Sequence, residues 1–380
     1  MRDDWAETTI GDVAEASWGN TTVTKKQYKE SGFTAFSASG PDGFVDWFEH
    51  DEKGVVLSAI GALCGKTWLA EGKWTPIKNT IWFKSKSKEC LTDYLFLVSK
   101  IPDLWPIRGQ AQPFISLGDV RLVEISMPPI AEQKRIVDVV SSVDAYIDAL
   151  QQQVVTARAA RNAVLHELLT AGGEDWTETT LGKTLEIARG GSPRPIRDFI
   201  TTADDGINWI KIGDATASSK YIYHTEQKIR LEGATRSRVV QSGDFILSNS
   251  MSFGRPYIMR TNGCIHDGWL LFSKVEKHFD EDFLYNLLMS DLVQKQFDSL
   301  AAGSGVRNLN IEVAKEVIIP LPPMSTQKRI AQIANSMDDV ILSTEQAVVE
   351  AKNLRSGLLS DLLSGEHEIP ASYDSLLGAA

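Results

Sequence analysis

Two stretches of fourteen residues decide the architecture of this chain: MPPIAEQKRIVDVV at 127–140 and LPPMSTQKRIAQIA at 321–334. Both contain a proline pair followed three residues later by Gln-Lys-Arg-Ile, and the second begins 194 positions after the first. Proline fixes φ and lacks an N–H group, so a proline pair ends a strand and suits the start of a helix. Each stretch therefore predicts a helix entrance, and the repetition predicts two similar halves.

The residues after each proline pair predict a long helix. Ser325 is a favourable N-cap and Ala131 a poor one, whereas Glu132 suits the positive end of a helix. Apolar residues then recur at spacings of four and three, the pattern of a coiled coil, and only Arg161, Thr344 and Arg355 interrupt it. The residues of this seam are Ile136, Val140, Val143, Ile147, Leu150, Val154, Ala157, Val164 and Leu168, then Ile330, Ala334, Met337, Ile341, Val348, Ala351, Leu358 and Leu362.

The segments outside the helices repeat as well. DWAETTIG at 4–11 returns as DWTETTLG at 175–182, and VVLSAIGALCGKTWL at 55–69 is matched by FILSNSMSFGRPYIM at 245–259. These segments are rich in Val, Ile, Phe and Trp and are punctuated by Gly, Asn and Asp, which indicates substantial β structure. The order of their strands does not follow from the sequence.

The predicted fold class is therefore α+β. It comprises two similar mixed α/β domains joined by two long antiparallel coiled-coil helices, related by a pseudo-twofold axis. The predicted boundaries are a first globular domain at 1–128, a first helix at 129–172, a second globular domain at 173–322, a second helix at 323–365 and a tail at 366–380. Whether the tail is ordered stays open at this point.

Composition limits the possible functions. At 380 residues, 43% of them apolar and 23% charged, the chain is typical of a globular protein with two or three compact units. It has neither a signal peptide nor a long apolar run, so we expect a cytoplasmic protein with no membrane contact. Three cysteines favour neither disulfides nor a zinc site. The net charge of −11 argues against nonspecific adhesion to nucleic acid, although it permits local basic patches.

Three catalytic patterns are incomplete. GALCGKT at 61–67 resembles a phosphate-binding loop, but only three residues separate its glycines where the motif needs four. Asp42, Asp51 and Lys53 loosely match a metal-dependent nuclease, and the second half has no counterpart. The proline pairs resemble the loop of adenine methyltransferases, but their flanking residues could neither bind nor stack on a flipped base. We therefore expect no catalysis by this chain alone, and no metal site.

Polar and basic residues on predicted loops and strand ends are candidates for DNA contact, because Arg and Lys suit guanine and phosphate while Asn and Gln suit adenine. Similar scaffolds with different polar residues, such as Lys66 opposite Arg255, suggest two readers of different sequences. The candidates are Lys25, Lys26, Lys66, Lys78, Asn79, Lys84, Gln110 and Gln112 in the first half, and Arg194, Asn208, Lys211, Asn249, Arg255, His266, Arg307 and Asn308 in the second.

The doubled arrangement resembles the specificity subunit of type I restriction-modification systems. PPIAEQKRI and PPMSTQKRI look like the helical conserved regions of that family, and WAETTIG and WTETTLG look like the starts of its two target recognition domains. The resemblance covers residues 1–365. It implies a non-catalytic reader of double-stranded DNA, in which each recognition domain reads one half of a bipartite, asymmetric site and the helices act as a spacer.

The resemblance also implies partners: two methyltransferase subunits and the motor-nuclease subunit. No cofactor is expected on this chain, whereas S-adenosylmethionine, ATP and magnesium are expected on the partners. The acidic charge is the poorest match to a DNA reader, so we expect the partners to supply much of the phosphate contact; tight, salt-insensitive binding by the purified chain would contradict this. The alternatives are a two-headed coiled-coil adaptor without DNA specificity, or a nuclease using Asp42, Asp51 and Lys53.

Overall fold

A computed structural model describes residues 4–215, 220–249, 253–302 and 309–377. The chain divides into two compact units, one formed by residues 1–151 with 346–380 and the other by residues 152–345. Both divisions fall within the long helices, so each unit contains the start of one long helix and the end of the other.

The first unit combines three small sheets with short helices. Its strands are β1 (Ala6–Thr9), β2 (Ala14–Trp18), β3 (Phe33–Ser37), β4 (Gly40–Val45), β5 (His50–Asp51), β6 (Gly54–Ser58), β7 (Thr67–Ala70), β8 (Lys73–Pro76), β9 (Thr80–Ser85) and β10 (Glu124–Met127). Its helices are α1 (Ile10–Val13), α2 (Thr92–Val98), α3 (Leu117–Arg121) and the start of α4 (Ile130–Thr170). The sheets have the orders β1-β10, β2-β9-β6-β7 and β4-β3-β8-β5.

The second unit repeats this plan with additions. Its strands are β11 (Thr177–Thr180), β12 (Glu186–Arg189), β13 (Ile200–Thr201), β14 (Ile207–Ile210), β15 (Tyr221–Ile222), β16 (Gln227–Ile229), β17 (Arg238–Val240), β18 (Phe245–Ser248), β19 (Pro256–Met259), β20 (Gly263–Ile265), β21 (Trp269–Ser273) and β22 (Ile318–Leu321). Its helices are α5 (Leu181–Thr184), α6 (Leu231–Ala234), α7 (Glu281–Met289), α8 (Asp291–Ala302), α9 (Ile311–Glu316) and the start of α10 (Met324–Ser364), while α11 (Asp374–Leu377) belongs to the first unit.

The topologies match strand for strand. The second unit contains sheets β11-β22, β12-β21-β18-β19-β15 and β13-β16-β14-β20-β17. The order β2-β9-β6-β7 thus corresponds to β12-β21-β18-β19, and β4-β3-β8-β5 corresponds to β16-β14-β20-β17. Even the parallel pair β3 and β8 has its counterpart in β14 and β20. The mixed α/β fold with two similar halves and two long helices is confirmed, and the additions are two edge strands, β13 and β15, and helices α6 and α8.

The long helices pair antiparallel inside each unit. In the first unit, Ile136 and Val140 near the start of α4 share one core with Leu359 and Leu362 near the end of α10. The second unit has the reverse arrangement, with Leu165 and Leu169 of α4 beside the start of α10. The helix ends also pack against the sheets of their own unit, so they contribute to both the coiled coil and the globular cores.

The buried face of each helix departs from the predicted seam near its C-terminus. Leu165 and Leu169 are buried in α4, while the predicted Val164 is 37% exposed. In α10, Leu359 is buried rather than Leu358, which is partly exposed. A straight helix has 3.6 residues per turn and drifts against a repeat of 3.5, so the strict heptad prediction was wrong by one residue there.

Two of the polar residues that interrupt the seam, Arg161 and Arg355, form equivalent ion pairs between the helices. Arg161 of α4 donates from Nε and Nη2 to both carboxylate oxygens of Asp338 in α10, each at 2.9 Å. Arg355 of α10 donates in the same way to Asp144 of α4, at 2.5 and 2.9 Å. The two pairs are related by the offset of 194 residues, and each two-pronged contact lets a charged residue occupy the seam.

A buried glutamine secures each helix entrance. The amide of Gln133 accepts from the N–H of Leu91 and donates to the carbonyls of Glu89 and Pro128, at 2.9 Å in each case. Gln327 accepts from the N–H of Asp280 and donates to the carbonyls of His278 and Pro322, at 2.9 to 3.0 Å. The glutamine that both copies share therefore ties the helix start to the preceding loop, which leads into α2 in the first unit and into α7 in the second.

The helices begin at Ile130 and Met324, so Ser325 lies within the first turn and the expectation that it would be the N-cap was wrong. The carbonyls of Pro129 and Pro323 accept the first helical hydrogen bonds instead.

The C-terminal tail is ordered as far as it is described. Arg135 of α4 donates to both carboxylate oxygens of Asp374, at 2.7 and 3.2 Å, and to the carbonyl of Ile369, at 3.1 Å. Tyr373 donates to Asp138 at 2.6 Å, and the side chain of Ile369 is buried in the core of the first unit. The tail therefore packs against the start of α4.

Replacing Gln133 with Leu should lower the free energy of unfolding, because three backbone groups, one buried and two partly buried, lose their partner, and each loss costs about 1–3 kcal/mol. We expect a total of about 3 kcal/mol in urea denaturation. Gln151→Leu, at an exposed position of the same helix, is the control and should change stability little. Equal stability of the two variants would show that the glutamine contributes no more than a surface residue.

Candidate nucleic-acid interface

The predicted DNA-contact residues lie mostly at one end of the sheets in each unit, which we call the loop end. In the first unit it comprises residues 19–24, 59–66, 77–79 and 108–115. In the second it comprises residues 190–195, Asn249, 253–255, 266–268 and Leu309. Backbone hydrogen bonds join these segments to one another, so side chains from distant parts of the sequence share one surface.

Several backbone bonds of the two loop ends correspond in pairs. In the first unit, the N–H of Ala59 donates to Asn79 and the N–H of Ile115 donates to Ala59, at 3.0 and 2.9 Å. In the second, the N–H of Asn249 donates to Gly268 and the N–H of Leu309 donates to Asn249, both at 3.0 Å. Because these bonds join backbone groups only, the same loop geometry is compatible with different side chains.

A glycine in each loop end allows a close approach of two chain segments. The N–H of Gly19 donates to Thr80 and that of Gly190 to Trp269, both at 2.9 Å. A Cβ atom on Gly19 would lie 2.3 Å from the Thr80 hydroxyl, and one on Gly190 would lie 2.0 Å from the His266 carbonyl oxygen. Only glycine fits these two positions without displacing the neighbouring backbone.

In the first unit the structure brings together most of the candidates. Lys66 and Lys78 are exposed in neighbouring loops, and Asn79 between them has a φ of 70°. Gln110 and Gln112 are exposed on the adjoining loop, which is held to the others by the bond from Gly61 N–H to the Pro113 carbonyl, at 2.9 Å. These five residues form the polar surface of the first loop end.

The remaining candidates of the first unit are less available. Lys26 is exposed in a short helical turn just beyond the loop end. Its neighbour Lys25 pairs with Asp42, which also accepts hydrogen bonds from Ser37 and Tyr28. Lys84 lies at the opposite end of β9 and is held by Glu52 and Glu15. The structure therefore separates Lys84 from the other candidates.

In the second unit, Arg194, Asn249 and His266 gather around Asp267. The Arg194 guanidinium lies 3.2 Å from the Asp267 carboxylate, and the amide of Asn249 donates to the Asp267 carbonyl at 2.9 Å. Ser192 donates to the same carboxylate at 2.5 Å, and this hydrogen bond, together with Arg194, lowers the pKa of Asp267. Asp267 and Ser192 were not among the predicted residues, since an acid is not expected to organise a DNA-facing loop.

The other candidates of the second unit are distributed more widely. Lys211 follows β14 beside His266 and lies 3.5 Å from Glu226. Asn208 lies at the far end of β14, where its amide donates to Thr261 and to the Asn262 carbonyl, at 2.8 and 3.0 Å. Arg255 lies directly before β19, where its carbonyl accepts from the N–H of Ser248 at the end of β18. The predicted Arg307 and Asn308 fall outside the described residues.

His266 is a structural residue of its loop. Its Nδ1 atom accepts from the N–H of Gly268 at 2.7 Å, and its Nε2 atom lies 3.2 Å from the N–H of Ile212. Burial lowers the pKa of this imidazole, Lys211 lowers it further, and Asp267 and Asp214 partly oppose the shift. The neutral form of the imidazole is therefore the one that holds the loop.

The incomplete catalytic patterns do not assemble into sites. GALCGKT forms the loop between antiparallel strands β6 and β7, whereas a phosphate-binding loop leads from a strand into a helix. Asp42 pairs with Lys25, Asp51 lies 4.0 Å from Lys73, and Lys53 pairs with Asp93 and Glu71. The nuclease alternative thus loses its geometric basis, because its three residues have separate partners.

Metal-binding clusters and membrane-spanning helices are both absent from the described ranges. These ranges contain no cluster of three or more His, Cys, Asp or Glu side chains able to hold a metal ion. Nor does any helix in this part of the chain combine the length and the apolar character needed to cross a membrane.

The His266 pKa makes stability depend on pH. Because burial depresses it below the ordinary value of 6.5, the unfolded state binds the proton more readily, and this contribution to stability is complete above that value and decreases as pH falls below it. In urea denaturation between about pH 5 and 7, His266→Gln should flatten the pH dependence, by at most about 1.4 kcal/mol per pH unit. His224→Gln, at an exposed position, should keep the wild-type slope; an unchanged slope in His266→Gln would contradict the assignment.

Comparison with known proteins is consistent with this architecture. The sequence profile of the type I restriction modification DNA specificity domain matches residues 2–156 and 173–351, one match for each half. The MjaVIII specificity subunit of Methanocaldococcus jannaschii is 21% identical over 96% of this chain and 93% of that protein. The EcoBI specificity subunit of Escherichia coli is 24% identical over 64% of this chain and 58% of that protein.

Solved structures share the fold. The S subunit from M. genitalium superposes with a TM-score of 0.57 at 16% identity, covering 94% of this chain and 96% of the other. A chain from a study of complex assembly and conformational transition in a type I restriction-modification system gives a TM-score of 0.62 at 15% identity, covering 95% and 98%. With the profile matching both halves, the chain belongs to the type I restriction-modification DNA specificity family, whose members recognise DNA and are not themselves catalytic.

Proposed function

We propose that the chain reads a bipartite, asymmetric DNA target, with one half-site contacted by each loop end. The observation that carries this proposal is the pair of matched loop ends, which share their backbone hydrogen bonds and differ in their polar side chains. Equivalent frames with different hydrogen-bonding groups are suited to reading different base sequences, since base edges are distinguished by donors and acceptors. Contacts made only by the protein backbone, which is alike in the two loop ends, would distinguish few base sequences.

Family membership associates the chain with DNA and with methyltransferase and restriction subunits. We further propose that two methyltransferase subunits and the motor-nuclease subunit assemble on it. In support, α4 and α10 expose apolar side chains at positions related by the 194-residue offset: Tyr146 with Val340, and Val155 with Val349. Exposed apolar side chains on long helices are typical of surfaces that bind other proteins.

We propose that the partner subunits, and not this chain, carry out the methylation and cleavage reactions. S-adenosylmethionine would bind to the methyltransferase subunits, and ATP and magnesium to the motor-nuclease subunit, with no cofactor on this chain. A complex of this kind would act on the DNA of the cell, which agrees with the cytoplasmic location expected from the sequence.

Mapping methylated adenines tests the function directly. The chain is co-expressed with the methyltransferase subunit encoded beside it, and every methylated adenine in the host genome is located. We expect a split motif with a constant gap between two different half-sites. If an intact complex of the two proteins forms but no such motif is methylated, the two-headed adaptor without DNA specificity becomes the better interpretation.

The helices should control the gap. Inserting seven residues after Gln151 and seven after Glu345 lengthens each helix by about 10 Å, the rise of about three base pairs. We expect the methylated motif to keep both half-sites and to gain a longer gap. A variant with Gln151→Glu and Gln153→Glu, which keeps the length, should leave the gap unchanged. An unchanged gap in the insertion variant would contradict the spacer role.

A further inference from the structure

Lys66 and Arg255 occupy the same position in the two units. Lys66 precedes β7 and Arg255 precedes β19, and their carbonyls accept from the N–H groups of Ser58 and Ser248, at 2.8 and 3.2 Å. The next bond is matched as well, because Gly65 and Gly254 donate to the carbonyls of those serines, both at 2.9 Å. Each hairpin therefore carries one cation directly before its second strand, at a position that backbone hydrogen bonds define.

Neither Lys66 nor Arg255 has an acidic partner among the described residues, a property that Lys78 of the first loop end shares, whereas several other cations of the two units are paired. In the second unit, Arg194 pairs with Asp267, Lys220 with Asp282 and Arg260 with Glu281. In the first unit, Lys53 and Lys84 are paired in the same way. A cation already held by a carboxylate must lose that partner before it can contact DNA, whereas Lys66 and Arg255 pay no such cost.

The side chain of Arg255 is held in a fixed direction. Its guanidinium carbon lies 5.5 Å from the centre of the Tyr257 ring, so the ring and the cation attract each other. Its Nε atom is buried and has no hydrogen-bond partner in the described chain. The adjacent Ser248 side chain, fully buried and also without a partner there, lies in the same row across the sheet. This row therefore contains donors for which the described residues supply no acceptor.

We propose that Arg255 and Lys66 are specificity-determining residues, each reading a base in one of the two half-sites, with Arg255 contacting a base edge that carries two acceptors, as guanine does. The inference rests on the proposed function and names the residues that carry it. A planar guanidinium in a fixed orientation matches the O6 and N7 atoms of guanine in two hydrogen bonds. A phosphate contact would require the charge but not the orientation that Tyr257 imposes.

The test uses the complete methyltransferase complex with four variants of this chain. Arg255→Lys keeps the charge but removes the planar fork, and Arg255→Ala removes both; Lys66→Ala is the counterpart in the other unit. The control is Arg197→Ala, whose side chain is 87% exposed and lies 3.6 Å from Asp198. Methylated adenines are mapped genome-wide, and DNA affinity is measured over a series of salt concentrations.

Both Arg255 variants should relax one base position in one half-site, by about tenfold or more in preference, and leave the gap and the other half-site unchanged. Lys66→Ala should alter the other half-site only. If Arg255→Ala relaxes the base preference but Arg255→Lys does not, the proposal that Arg255 contacts the base through two hydrogen bonds is overturned. Uniform weakening of all sequences with a reduced salt slope would also overturn the proposal, because that is the behaviour of a phosphate contact.

Folding and function are separated by two further measurements. Thermal unfolding of each variant alone shows whether a lost activity reflects misfolding, and a folded Arg255→Lys variant that keeps the wild-type motif overturns the inference. The wild-type complex tests the proposed function independently, because a bipartite motif in the wild type upholds it whatever the variants do.

Discussion

The buried glutamine behind each proline pair is the interaction on which the rest depends. Gln133 and Gln327 each join a strand end, a helix start and a loop from elsewhere in the unit through three hydrogen bonds. An amide has donors and an acceptor at fixed angles, so all three partners are satisfied in one arrangement only. Because these groups are buried or partly buried, any other helix direction would leave them unpaired at a cost of about 1–3 kcal/mol each. The glutamine thereby fixes how each long helix leaves its globular domain.

Much of the fold could be predicted from sequence because it depends on local signals. Proline pairs, apolar spacing and the repeated segments located both helices and the two-part plan. The strand orders could not be predicted, since pairings such as β3 with β8 join segments that are distant in sequence and have no local signature. The buried face of each long helix was predicted except near its C-terminus, where a straight helix with 3.6 residues per turn departs from a repeat of 3.5. Arg161 and Arg355 were read as interruptions, and their partners Asp338 and Asp144 became evident only once both helices were seen together.

The candidate site was predicted less completely, and the reason is physical. Sequence identifies a residue type but not the end of the strand on which it lies, so Lys84 and Asn208 were grouped with residues that the fold places at the opposite end of a sheet. Nor does sequence identify the acid that a cation faces, as Lys25 with Asp42 illustrates. Asp267 was overlooked because its contacts are with Ser192, Arg194 and Asn249, which are distant from it in sequence.

Duplication explains how one chain can carry two different readers. The bonds that shape the loop ends join backbone groups, and backbone bonds are indifferent to the side chains they carry, apart from the glycines at 19 and 190. Recognition residues can therefore change in one unit without loss of the fold and without effect on the other unit. The acidic balance fits the same logic, because with a net charge of −11 we expect general attraction to phosphate to be weak. Under the proposed function, discrimination between sequences would then depend on the polar side chains in which the two loop ends differ.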